Sequence, residues 1–364
     1  MMKDAQRCDY SKSKGKEQVL KNGMVLEGLS DSGLTQIVSV SSIHWIRDVN
    51  PFFLATYVII MLHVFFYFTG NLAIPIFLVQ SKILYSYAFD QEKLQDKQNI
   101  STKSQREFFN DRRFFIPLYT CVAAGTFTWI WSLCLMSDDV KFESYYLSDV
   151  RPKTWPQFLI LVFVLAFISS VETQAGHELI HRREYYNKAV GMLANAKIFY
   201  THFKDEHVQG HHKMLATPED SSTSRLNESI YAYIPREVYW THVNQWKREV
   251  KRIRQQHGHD CPTLALVVFN KMTWYFLIHV AICVSIYCLL GWSSLKFHFL
   301  HAAFGLWYQC FANYITHYGL LRNKDKNCIY ESINKYHSWN FVSSPIYFRL
   351  PRHSDHHISS FRPY

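Results

Sequence analysis

The sequence predicts an all-α protein: a bundle of six transmembrane helices whose inner, cytosolic side carries a histidine-rich cap. Three observations predict it. Apolar residues are bunched into long blocks nearly free of charge, Lys and Arg fall mostly to one side of those blocks, and histidines recur at helical spacing on that same side. At 48% hydrophobic and 16% aromatic residues, the 364-residue chain is neither disordered nor collagen-like. Its eight cysteines form no C-x-x-C pair, which argues against a zinc ribbon or a thioredoxin-type motif. A formal net charge of +10 would suggest nucleic acid in a soluble protein. Here the basic residues lie between apolar blocks, so the expected partner is the lipid bilayer and not nucleic acid.

Residues 1–50 form a polar, Lys-rich N-terminal segment. No apolar signal core precedes residue 51, so no cleaved secretory signal is expected, and Asp4, Glu17, Glu27, Asp31 and Asp48 speak against a mitochondrial presequence. Residues 51–364 make up the membrane domain, with spans at about 51–69, 70–89, 114–136, 155–175, 272–292 and 297–319. Each supplies close to the roughly 20 apolar residues that a helix needs to cross a bilayer. Only Lys82 interrupts the second. With the N-terminus inside, the outer segments hold only Lys141, Arg151, Lys153 and Lys296, and nearly all other Lys and Arg are inside. Both termini and the histidine clusters then share the cytosolic or matrix side. Endoplasmic reticulum, mitochondrial inner membrane and bacterial plasma membrane all accommodate that topology.

Nine of the 19 histidines form a pattern. His177 and His181 lie in GHELIHRR, on a helical continuation of the fourth span. His207, His211 and His212 lie in DEHVQGHH, His317 in NYITHYGLL at the inner end of the sixth span, and His353, His356 and His357 in RHSDHH. Spacings of three and four put imidazoles on one face of a helix, able to converge on a metal ion. Imidazole suits iron, zinc, copper and nickel alike, so spacing leaves the metal open. His298 is 19 residues before His317, about 28 Å along a helix, so it and His301 belong to the other end of the span. His63 and His279 are read as structural histidines satisfied within spans. HELIH also satisfies H-E-x-x-H, the zinc protease signature with Glu178 as base, but that reading leaves the other clusters unexplained.

These residues resemble the integral-membrane alkane monooxygenase and xylene monooxygenase family, relatives of the membrane fatty-acid desaturases. The resemblance runs from about residue 50 onward and rests on HELIH, EHVQGHHKMLATPEDSSTSR (206–225), NYITHYGL (313–320), HSWN (337–340) and LPRHSDHH (350–357). It implies a six-helix bundle with two non-haem irons held by the nine histidines above. It also implies O2 as co-substrate, hydroxylation of an alkane or alkyl or fatty-acyl chain, and electrons from a separate rubredoxin- or ferredoxin-type carrier. The lack of C-x-x-C pairs agrees that no such carrier is fused here. Gly176, Arg182, Phe341 and Pro351 stand where Ala, Lys, Ser and Gln are usual, and every ligand remains in place.

A ligand histidine usually donates its second N–H to a carboxylate or carbonyl. The candidates for that role are Glu172, Glu178, Glu206 and Asp355, with Asp205, Glu219 and Asp220 also near the boxes. Glu172, inside the fourth span, needs a partner: a ligand histidine, Lys82 or Arg182. Lys247, Arg248, Lys251, Arg252 and Arg254 offer a basic inner face for an acidic electron carrier, and equally follow from orientation by charge. Two other readings stand beside hydroxylation: a lipid desaturase, and a non-catalytic subunit of a larger membrane complex. Retention of all nine histidines argues against the second.

Overall fold

A computed structural model describes residues 50–69, 112–137, 151–152, 154–341, 347–348, 350 and 352–360. The predicted span 70–89 with Lys82, nearly all of the segment 1–50, and Pro351 lie outside the described residues. Regular structure among the described residues is helical, apart from one isolated antiparallel bridge between Lys324 and Tyr330.

The first helices are α1 (Leu54–Thr69), α2 (Phe115–Met136) and α3 (Trp155–Ile180). Pro156 opens α3 in its first turn, where the missing N–H costs no helical hydrogen bond. Twenty-six residues give α3 a length of about 39 Å. That exceeds the roughly 30 Å hydrocarbon core of a bilayer. α3 is the central helix, packed against α2, the short α4 (Tyr185–Ala196) and the long α9 (Lys271–His317). Leu118, Cys121, Val122, Leu165 and Ile168 belong to the core between these elements.

α4 approaches α3 through two glycines. A methyl group on Gly191 would stand 2.6 Å from the Gly176 carbonyl oxygen, and one on Gly176 would stand 2.8 Å from Ala194 Cβ. Glycine at 176, unusual for the resemblance, therefore has a packing reason here.

After α4 come α5 (Phe203–Glu206), a π-helical turn at His207–His211, and α6 (His212–Met214). α7 (Ile230–His257) is long and polar, with Ser229 accepting from the Ala232 N–H at its start and Gly258 at positive φ after its end. Its buried stripe, Tyr233, Glu237, Thr241, Gln245, Glu249 and Ile253, has a strict four-residue spacing. Helix α8 (Thr263–Val268) leads into α9 (Lys271–His317), and α10 (His353–Ile358) follows.

Three stretches among the described residues are long and apolar enough to cross a membrane: Arg112–Met136, Trp155–Ile180 and Lys271–His317. The last contains the predicted span 272–292 and all but the last two residues of 297–319. Gly291 is non-helical, with φ 81° and ψ −177°. His279 and His298 both contact the Phe199 ring, at centroid distances of 5.2 and 5.0 Å. Along a straight helix those residues would stand about 28 Å apart. The chain therefore folds back at Gly291, where the sequence predicts a turn, and α9 has two arms lying side by side.

Candidate metal centre and adjoining cavity

All nine predicted histidines converge, in two groups: His177, His181, His207, His212 and His356 in one, His211, His317, His353 and His357 in the other. Within each group the ligating atoms lie within 4.8 Å of one another. His177 and His181 come from the end of α3 and His317 from the end of α9.

The assignment to groups corrects the simple face argument. Four-residue spacing does keep His177 with His181 and His353 with His357. It does not keep His207 with His211, because that turn is π-helical and pairs residues five apart. His207 and His212 thus share a face, and His211 points to the other group. On α10, His356 likewise parts from His353, so one short helix serves both groups.

Six Nε2-to-Nε2 separations are 3.0–3.1 Å: His177 to His181 and His356, His212 to His207 and His356, and His353 to His317 and His357. A ring nitrogen either donates one proton or accepts one. His177, His212, His353 and His356 each have two such neighbours, which hydrogen bonding alone does not satisfy. Two nitrogens about 2.1 Å from one ion and at right angles to each other lie about 3.0 Å apart. The donor set therefore fits two metal ions. Burial, reinforced by the neighbouring imidazoles, holds His207 and His212 well below the usual histidine pKa, in the neutral form that ligates.

Asp220 orients His211. Its Oδ2 lies 2.9 Å from His211 Nδ1, leaving the buried Nε2 of His211 with no hydrogen-bond partner among the described residues. Asp220 also accepts from Thr223 Oγ1 at 2.6 Å and from the Ser222 N–H at 3.2 Å. Burial pushes its carboxyl up, but His211 and these donors outweigh it and hold Asp220 below the usual range. The ATPEDSSTSR segment is braced in turn: Arg236 donates to the Ser221 and Thr223 carbonyls, and Tyr233 to that of Ser222.

Each of the four favoured carboxylates lies beside a cation. Glu172 pairs with Lys197 and accepts from Thr126, which corrects the expected partners. Glu178 lies 3.6 Å from Arg182, whose guanidinium covers the Phe115 ring, so it is not poised as a protease base. Glu206 is 3.7 Å from Arg248, and Asp355 is 3.6 Å from Arg352. Burial, then the Asp220 charge, pushes the Glu206 carboxyl up to about 7. Burial takes Glu237 to about 7 as well, despite the Asn313 amide donating to it at 2.7 Å. Sequence reasoning missed Lys197, Glu237 and Asn313, since nothing local marks a buried polar partner on a distant element. His63 and His279 behave as expected, 2.8 Å from the Thr128 and Thr201 hydroxyls respectively.

A cavity of about 230 Å³ adjoins the histidines. α3 contributes Phe163, Phe167, Ser170, Gln174 and His177; α9 contributes residues from Trp307 to Thr316; Phe341, Tyr347, Leu350 and His353 complete the wall. The lining is mainly apolar, and it touches one histidine of each group.

The family model for fatty acid desaturase matches residues 153–364, more than half of the chain and all nine histidines. The chain belongs to the fatty acid desaturase family. Within this desaturase family setting, it is 35% identical over 217 residues to an alkane 1-monooxygenase of Ectopseudomonas oleovorans, covering 59% of this chain and 53% of that one. It is 36% identical over 203 residues to alkane 1-monooxygenase 1 of Pseudomonas aeruginosa, with coverage of 54% and 51%. A xylene/toluene monooxygenase hydroxylase component of Pseudomonas putida is 28% identical over 209 residues, with coverage of 55% and 53%. The chain spans about half the length of these curated relatives.

Proposed function

We propose that this member of the desaturase family is a membrane non-haem di-iron monooxygenase. It hydroxylates an alkane or an alkyl or fatty-acyl chain with O2 and electrons from a separate carrier. The observation that carries the reading is the apolar cavity ending on His177 of one histidine group and His353 of the other. An unactivated C–H bond needs an oxidant that no side chain supplies, and a bound pair of irons supplies O2 activation. The two groups would hold one iron each, through five and four imidazoles.

The chain's own contribution is positioning and exclusion of water. Asp220 fixes the tautomer and direction of His211. Phe163, Phe167 and Phe341 flank the bound chain and keep water out. The α7 surface supports docking of an acidic carrier of rubredoxin or ferredoxin type through exposed Lys247, Lys251 and Arg254. Arg248 and Arg252 are engaged internally by Glu206 and Glu249. We place six helices in the membrane, with the histidines on the cytosolic or matrix side.

Metal content and turnover test the reading. Detergent-purified protein is expected to carry about two irons per chain, to lose iron in His211→Ala, and to convert alkyl substrates to alcohols when given a reductant. A single zinc, or conversion to olefins in place of alcohols, would overturn it.

A further inference from the structure

Three amide side chains interrupt the apolar wall of the cavity: Gln174 on α3, and Gln309 and Asn313 on α9. Gln174 and Gln309 are 8% and 4% exposed. Gln174 Nε2 lies 3.4 Å from Gln309 Oε1 and 3.4 Å from the Ser170 carbonyl, and Thr173 Oγ1 lies 2.8 Å from that carbonyl and 3.3 Å from the same Gln309 oxygen. That leaves Gln174 Oε1 and Gln309 Nε2 without a hydrogen-bond partner among the described residues. Turning both amides together exchanges their roles, and one acceptor and one donor are still left without a partner on the cavity wall.

A purely hydrocarbon occupant leaves both groups unpaired on a dry wall, which is unfavourable. A hydroxyl, which donates and accepts at once, satisfies both. Gln174 precedes His177 by three residues, about 4.5 Å along α3 and on the same face. A hydroxyl held there stands within a few carbons of the part of the chain nearest the histidines. Asn313, on the same wall, gives one amide N–H to Glu237.

We infer that Gln174 and Gln309 form a hydroxyl-binding subsite, so that the preferred substrate is an alkyl chain already bearing a hydroxyl group near the carbon to be oxidised. This rests on the monooxygenase reading and narrows its substrate class. Gln174 and Gln309 are specificity residues and take no part in the chemistry.

The test compares a 1-alkanol with the n-alkane of equal carbon number. Binding is read by thermal stabilisation of zinc-substituted full-length protein, which does not turn over, and kcat/KM by product formation in the iron-loaded protein. Wild type is expected to favour the alkanol by about tenfold or more, the worth of one to two net hydrogen bonds. In Gln309→Leu and in Gln174→Leu the ratio falls towards one. Gln309→Asn, which keeps an amide, restores part of it. Equal binding of the two ligands by wild type, or parallel weakening of both in the leucine variants, overturns the subsite. If iron loads and alkane is hydroxylated in that case, the monooxygenase reading stands alone. If neither iron nor either ligand binds, both readings fall.

Discussion

Replacing Gly191 by alanine tests how tightly the histidines depend on helix packing. The new methyl group would meet the Gly176 carbonyl oxygen at 2.6 Å and Ile180 Cγ2 at 2.7 Å. Ordinary contact begins near about 3.5 Å, so α4 and α3 must part by about 0.9 Å. The obstacles are backbone and a branched side chain on a buried helix, and neither swings aside. Overpacking of this kind costs about 1–3 kcal/mol. The displacement also reaches a ligand, since His177 adjoins Gly176, and a metal site tolerates about 0.5 Å of misplacement. Gly191→Ala is therefore expected to lower the thermal midpoint and the bound iron together. Gly210→Ala is the contrast, because the nearest atoms to its methyl belong to the far end of the flexible Arg248 side chain, at 2.6 Å. Unfolding followed by circular dichroism, with iron measured on the same preparations, decides the matter. A Gly191→Ala protein with wild-type midpoint and full iron would refute the close-approach argument.

Asp220→Asn keeps the shape beside His211 but removes the charge, and iron affinity is expected to fall about 10- to 100-fold in a chelator competition. Lys197→Met strands Glu172 in the core without its cation and is expected to cost about 3–5 kcal/mol, with Lys197→Met/Glu172→Leu recovering much of it by denaturant unfolding. Glu237 retains its proton up to about 7 in the folded chain and ionises near 4.5 when unfolded. The folded state then binds more protons across that window, so this group's contribution to stability falls as pH rises from about 4.5 to about 7. Glu237→Gln is expected to flatten that slope, and unfolding midpoints that keep their wild-type pH dependence would contradict it.

What was legible in the sequence had a short-range signature. α3 and both arms of α9 announce themselves by uncharged length, and the histidines by number and spacing. The convergence of all nine agrees with those two signals, because α3 and α9 each end at their histidines and the other two clusters fall on the same expected side of the apolar blocks. The division into groups was not legible, since an insertion of π-helical geometry at His207–His211 changes which residues share a face while leaving the sequence spacing untouched. Partners were less legible still. Glu172 could be identified as a buried acid in need of a cation, yet Lys197 lies beyond a turn and another helix, and only tertiary packing brings the two together. Gly176 and Arg182 looked like departures from a pattern, and became intelligible as a helix contact and as a guanidinium between Glu178 and Phe115.

α10 supplies His356 to one histidine group and His353 and His357 to the other, and it follows every other ligand along the chain. During synthesis, all remaining imidazoles leave the ribosome before it does. At that stage the first group owns four of its five histidines and the second only two of its four. One pocket is thus nearly assembled while the other is little more than a pair of side chains, and docking a single six-residue helix completes both in one event.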